Sequence, residues 1–151
     1  MMIENPLQPA QHSVGRLISN VAARAQQVLG KKLEPHGVTP QQWVVLVVLW
    51  WQDEISVSDL AIHLRTEKPA VSRLVDRMEK AGLVTKTPSE TDRRSIILSA
   101  TEKAKEKKQL RMIYEEINAV LLAGFSDEEI EQLFSLLRRV QRNADQHVQQ
   151  N

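Results

Sequence analysis

The chain has 151 residues, a formal net charge of +1 and no cysteine. Such a length fits one domain that buries roughly 70% of its unfolded surface. The near-neutral balance excludes a polybasic coat protein, and the missing cysteines exclude disulfides, thiolate zinc sites and cysteine nucleophiles or redox sensors.

Residues 1–9, with Pro6 and Pro9, read as a short irregular arm. A long helix is expected from about Ala10 to Leu33. Val14, Leu17, Ile18, Val21, Ala22, Ala25, Val28 and Leu29 give it one broad apolar stripe, and Pro35, His36 and Gly37 break it. Thr39-Pro40-Gln41-Gln42 then starts a helix, with a Thr cap, a proline in the first turn and a glutamine three residues after the cap. The run WVVLVVLWW that follows has strand propensity, but the explicit cap makes it a helix, and a helix apolar all round is a buried one. Gln52 to Glu54 ends it. Ile55 can add a third strand to the sheet further on.

Ser56 caps the next helix, Val57 to Leu64, where Val57, Leu60, Ala61 and Leu64 follow the i, i+3, i+4, i+7 spacing of one buried face. Asp59 completes an imperfect capping box. After a turn at Arg65–Lys68, Pro69 sits in the first turn of a helix that runs to about Ala81; Thr66 and Glu67 compete as its cap. Val71, Leu74, Val75 and Met78 form its buried stripe. Ser72, Arg73, Asp76, Arg77 and Lys80 form the opposite face, with Pro69 and Ala70 near the leading end. An arginine fork, a hydroxyl and small residues suit the major groove of DNA, where Arg binds guanine O6 and N7 bidentately. Gly82 ends the helix.

Leu83–Pro88 and Ser95–Leu98 have strand character, and the loop from Ser89 to Arg94 makes the hairpin project. Asp92 precedes Arg94 by two residues and is expected to pin its guanidinium. An arginine held at such a tip suits insertion into the minor groove. The candidate DNA contacts are Ser56, Lys68, Pro69, Ala70, Ser72, Arg73, Asp76, Arg77, Arg93 and Arg94, with Asp92 as organiser of the wing. Lys and Arg modestly outnumber Asp and Glu between Arg65 and Arg94, which suits a specific reader that also slides on DNA.

Beyond the hairpin, Ser99-x-x-Glu102 reads as a capping box, with Thr101 as the competing cap, and opens a long helix to about Ala123. Its basic run, Lys103, Lys105, Lys107, Lys108 and Arg111, reads as a solvated face. Ile113, Ile117, Val120 and Leu121 then turn it apolar. Gly124 stops it, and Ser126-x-x-Glu129 caps a last helix carrying Ile130, Leu133, Phe134, Leu137 and Val140, with a polar end expected to fray. The first helix and the last two bracket a small module with apolar stripes of their own. They are expected to pack together and against a second copy, a two-fold dimer being the commonest closed assembly.

The run SRLVDRMEKAGLVTKTPSETDRRSIILSATEKA resembles the winged helix-turn-helix of the MarR family of regulators. Gly82 and Leu83 match the family's turn, and Asp92 and Arg94 match its wing motif. Ala100 stands where Leu is usual and Ala104 where Gly is common, positions that bear on packing at the next helix start. The flanking helices fit the family's order, so the resemblance covers nearly the whole chain. It implies a mainly α fold with a small β wing in a single domain, 1–151. Residues 39–98 would be the winged helix-turn-helix DNA-binding region, and 10–34 and 100–148 the N- and C-terminal dimerisation helices. The implied function is a homodimeric repressor that binds double-stranded DNA at a pseudo-palindromic operator without a cofactor.

Trp43, Trp50 and Trp51 lie on one helix, and Trp43 and Trp50 share a face with Val47 between them. The indoles either fill the core or line a ligand cleft, with His12 and Arg16, four apart on the first helix, as polar groups at its rim. The resemblance adds small aromatic carboxylates or phenols as effectors that release DNA. An enzyme is not expected: His12, His36, His63 and His147 are scattered, and there is no glycine-rich phosphate loop or nucleophile elbow. A winged helix used only for protein contact and a metal sensor are the other readings, though no local cluster argues for a metal. No apolar run approaches the roughly 20 residues of a membrane span. The N-terminus lacks a signal-peptide layout, so the cytoplasm is the expected compartment.

Overall fold

The computed structural model describes residues 12–150; the irregular arm and the helix start at Ala10 lie outside the described residues. Two compact units divide the chain, one up to Tyr114 and one from Glu115.

In the first unit, α1 spans Val14–Leu33. It begins at Ser13, whose hydroxyl accepts the Arg16 amide at 3.2 Å. The cap places His12 before the helix, so His12 and Arg16 do not share a helical face as the spacing suggested. Leu29 and Leu33 are buried, whereas Val14, Leu17 and Val21 are more than half exposed. A 3₁₀ turn at Glu34–His36 and Gly37, at φ +66°, reverse the chain. Helix α2, Pro40–Gln52, carries the expected capping box: the Gln42 amide donates to Thr39 Oγ1 and the Thr39 amide to Gln42 Oε1. These two bonds satisfy first-turn donors and overrule the strand propensity of the apolar run. Val45, Leu46, Val48, Leu49 and Trp50 are buried, but Trp51 is 70% exposed, so the helix is not buried all round.

Strand β1, Glu54–Ser56, leads into α3, Val57–Leu64, where Ser56 Oγ accepts the Asp59 amide and donates to Asp59 Oδ2. Arg65 ends α3 in the left-handed region, at φ +50°. Helix α4 spans Lys68–Lys80 with Glu67 at the cap position and no side-chain cap bond; Thr66 instead donates its hydroxyl to Leu64 O. Strands β2, Val84–Pro88, and β3, Ile96–Ala100, complete an antiparallel sheet in the order β1-β3-β2, with Ile55 and Lys86 both opposite Leu98. Ile55 thus supplies the third strand. Because β3 runs on to Ala100, Ser99 is no helix cap: its hydroxyl pairs with that of Thr85 at 2.8 Å across the strands, and Thr101 caps instead. Leu46 and Leu49 of α2, Leu60 of α3, Val71, Val75 and Met78 of α4, and Leu98 of β3 form the core.

The long helix expected after the hairpin is broken. Helix α5 covers only Glu102–Lys105, a 3₁₀ turn covers Lys108–Met112, and α6 spans Ile113–Leu121. Two indoles meet the break, Trp50 Nε1 donating to Ala104 O at 3.1 Å and Trp43 Nε1 to Leu110 O at 2.8 Å. The basic run is also not a plain solvated face. Lys103 Nζ donates to Ala81 O, Lys107 Nζ to His36 O, and Lys105 Nζ to Glu102 Oε1. The Arg111 guanidinium lies 5.5 Å over the Trp51 ring.

In the second unit, Gly124 at φ +85° separates the end of α6 from α7, Asp127–Gln149, which opens on the expected Ser126–Glu129 capping box. The helix continues through its polar end to Gln149. Phe134, Leu136, Leu137 and Val140 are all more than a third exposed.

Candidate nucleic-acid interface

Helix α4 buries Val71, Val75 and Met78, and this turns Arg73, Asp76 and Arg77 outward. Pro69 is exposed in the first turn, and Ala70 is half-buried beside it. The hairpin stands next to this helix. Between them is a cleft of about 250 Å³ lined by Val57, Ser58, Lys68, Ser72, Val75, Asp76, Lys86, Arg94 and Ile96. Of the residues expected at the interface, the structure gathers Lys68, Ser72, Asp76 and Arg94 around this cleft. Arg73, Arg77 and Arg93 are exposed but are not part of its lining, and Ser56 is occupied with capping α3.

Asp76 has a structural partner that the sequence reading missed. Lys86 Nζ lies 2.7 Å from Asp76 Oδ1 and 3.4 Å from Glu79 Oε1. The hydrogen bond from Lys86 holds the Asp76 carboxyl below its ordinary range. The same bond, helped by Glu79 and opposed by partial burial, holds the Lys86 ammonium above its own. Both groups therefore stay ionised at neutral pH, and the bridge ties the helix to the hairpin. A signal for Lys86 did exist. In VTKTP the period of two puts Lys86 on the same sheet face as buried Val84, where a lysine needs a carboxylate partner.

The hairpin tip is organised through its backbone. Ser89 Oγ accepts the Thr91 and Asp92 amides at 3.3 Å each, and Asp92 Oδ1 accepts the Arg94 amide at 3.0 Å. The Ser95 amide donates to Asp92 O, and the Ser89 amide to Ser95 O. Asp92 therefore acts as an Asx turn. It grips the main chain of Arg94 and not its guanidinium, which corrects the expected pairing and leaves the arginine head to line the cleft.

The residues suggested for a small ligand are spread more widely. His12 and Arg16 are exposed at the start of α1. Trp43 and Val47 are half-buried on α2, and Trp50 is buried. A second cavity, of about 450 Å³, is lined by Leu49, Trp50, Asp53, Glu54, Ser99, Ala100, Lys105 and Lys108; of the suggested five it takes only Trp50. Among the described residues no group of three His, Asp or Glu is placed to hold a metal, and no helix is long and apolar enough to cross a membrane.

Residues 38–96 match the sequence model of the MarR family. Solved structures agree over most of the chain. A MarR transcriptional regulator from Methanosarcina mazei Go1 is 28% identical, with 88% of this chain and 96% of that one covered and a TM-score of 0.78. A protein described as a MarR family transcriptional regulator from Listeria monocytogenes, complexed with a 26mer DNA, is 26% identical, with 87% and 88% covered and a TM-score of 0.77. MepR from S. aureus, in complex with DNA, is 24% identical, with 87% and 98% covered and a TM-score of 0.81, and bears on the fold alone.

Proposed function

We propose that this chain, whose residues 38–96 match the MarR family, is a cytoplasmic repressor that binds a pseudo-palindromic operator in double-stranded DNA as a homodimer. The observation that carries the proposal is the junction of α4 and the wing, where a helix presenting Arg73 and Arg77 is bridged to a hairpin presenting Arg94. A groove-reading helix and a groove-inserting arginine held by one scaffold are the two parts of direct and shape readout. A second copy is supported by the exposed apolar side chains of α1 and, in the second unit, of α7. Repression would follow from occupancy, since a protein seated on an operator blocks other proteins from the same DNA.

Selection of bound fragments from genomic DNA, followed by titration of variants on the selected operator, tests this. Arg73→Ala or Arg77→Ala should each cost roughly 1–3 kcal/mol and relax preference at one base pair per half-site. Arg94→Ala should weaken binding and reduce preference for narrow, A·T-rich flanks. Asp92→Ala should do part of the same damage although it removes a negative charge, and Asp92→Asn, which keeps the acceptor, should restore most of it. Tighter binding by Asp92→Ala would show that the Asx turn does not organise the wing.

The effector in this reading is a small aromatic carboxylate or phenol received beside Trp50, at a cavity that His12 and Arg16 do not line. Support comes from the cavity beside Trp50, where Lys105 and Lys108 offer ammonium groups to a carboxylate. Titrating salicylate to millimolar concentration should change tryptophan emission and lower operator affinity together, and Lys108→Ala should blunt that response while DNA binding persists. If neither signal moves, the effector class is wrong.

A further inference from the structure

The break between α5 and α6 follows a period of three. The Lys107 amide donates to Ala104 O, the Leu110 amide to Lys107 O and the Ile113 amide to Leu110 O. These i→i+3 bonds stack Ala104, Lys107, Leu110 and Ile113 along one side, because a 3₁₀ helix repeats every third residue. Ala104, Leu110 and Ile113 on that side are buried. Carbonyls along it also accept from outside the segment: Ala104 O from Trp50 Nε1 and Leu110 O from Trp43 Nε1. Lys107, between them, donates to His36 O at 2.9 Å. Helix α2 and the turn after α1 therefore fasten the break at three successive points.

Nothing in the local sequence demands this break. Residues 102–113 contain no proline and no glycine, and most of them are good helix formers. In a continuous α-helix Ala104 O would accept the Lys108 amide and Leu110 O the Tyr114 amide. The indole N–H groups instead supply second donors to these carbonyls, each of which has two lone pairs, and so favour the tighter turn.

We propose that Trp43 and Trp50 are positioning residues for operator binding: their indole N–H groups, held by Leu110 O and Ala104 O, latch the break and so set the path by which the chain leaves the reading head. The lever is long. Over the five residues of the 3₁₀ turn, conversion to α-helix would shorten the rise by about 2.5 Å and turn everything downstream by roughly 100°. In a two-headed protein such a change alters which half-site separation both heads reach together. This inference rests on the DNA-binding reading for its consequence and on protein geometry alone for the latch.

The test replaces each tryptophan by 3-benzothienylalanine, which keeps the bicyclic shape and exchanges the N–H for sulfur, so that packing is retained and only the donor is lost. Hydrogen exchange at the Lys107, Leu110 and Ile113 amides should accelerate roughly 2- to 10-fold per substitution, the worth of one net hydrogen bond. Exchange in α4 should not move. Operator affinity should fall on the native spacing and recover in part on operators whose half-sites are one or two base pairs closer or farther, with the salt dependence unchanged. Unaltered exchange at the three amides overturns the latch. Exchange that rises equally across the reading head marks general destabilisation and overturns it too. Altered exchange with equal loss on every spacing overturns the positioning role. A wild-type chain that binds no DNA would remove the regulator reading, while the exchange measurements would still decide the latch.

Discussion

Operator binding should weaken by roughly 10³- to 10⁵-fold between 50 and 200 mM salt if the dimer neutralises about 6–10 phosphates. The cations available for this are Lys68, Arg73, Arg77 and Lys80 of α4 and Arg93 and Arg94 of the wing tip, in each head of the proposed dimer. Lys86 is not among them. Its charge is already met by Asp76 and Glu79, so it releases no counterion when DNA arrives. The slope of log K against log salt should be near −0.9 per phosphate contact. Specific affinity on the order of 10⁻⁸–10⁻¹¹ M is expected, with half-site centres about 10–10.5 base pairs apart or a multiple of that. Fluorescence anisotropy across a salt series measures all of this. A flat response would favour a winged helix used for apolar protein contact. A stable monomer that binds one half-site tightly would exclude the dimeric mode.

Truncation of the buried leucines should have the largest effect on stability. Leu60 and Leu98 are fully buried, one on α3 and the other at the centre of β3 with Ile55 and Lys86 opposite it. Leu60→Ala or Leu98→Ala should cost about 2–5 kcal/mol, from lost transfer free energy and the cavity left behind. That is a large part of the roughly 5–15 kcal/mol that holds a typical domain. Ile62, two residues from Leu60 but 75% exposed, should tolerate alanine within about 0.5 kcal/mol. Urea unfolding of the three variants checks the ranking. A loss at Ile62 equal to that at Leu60 would mean that the outer face of α3 is covered in solution.

Local rules carried much of the fold. The boxes at Thr39 and Ser126 and the cap at Ser56 depend on residues three apart, so the sequence alone locates those helix starts. The box at Thr39 also decided between helix and strand for WVVLVVLWW. Where a bond joins distant residues, the same rules misled. Ser99 has the spacing of a cap but is spent on Thr85 in the neighbouring strand. The segment after Thr101 has helical composition, yet its hydrogen bonding is shared with indoles more than 50 residues earlier. At the interface, the exposed arginines of α4 could be read from periodicity. The roles of Asp76 and Asp92 could not, because one depends on a helix meeting a strand and the other on a turn binding backbone in place of a guanidinium. Ser13 caps α1 after the start expected at Ala10, because Ala10 stands four residues before Val14 and so fits the same apolar stripe.

The Asp76–Lys86 bridge also constrains how this protein can acquire a new target. The two residues sit on different elements, Asp76 on α4 and Lys86 on β2 of the hairpin. A change confined to α4 that discards the carboxylate leaves a half-buried ammonium facing Glu79 alone. A change confined to β2 that discards the lysine leaves Asp76 and Glu79 as two neighbouring carboxylates without their cation, on the face proposed to meet DNA. Either single step gives up a partly exposed ion pair, a modest loss, before any new base preference is gained. If α4 and the wing read DNA as proposed, the two elements should therefore change together. Laboratory variants that recombine the helix of one regulator with the hairpin of another should hold the hairpin against the helix better where the recombinant keeps both Asp76 and Lys86 than where it keeps one, which hydrogen exchange in β2 would report.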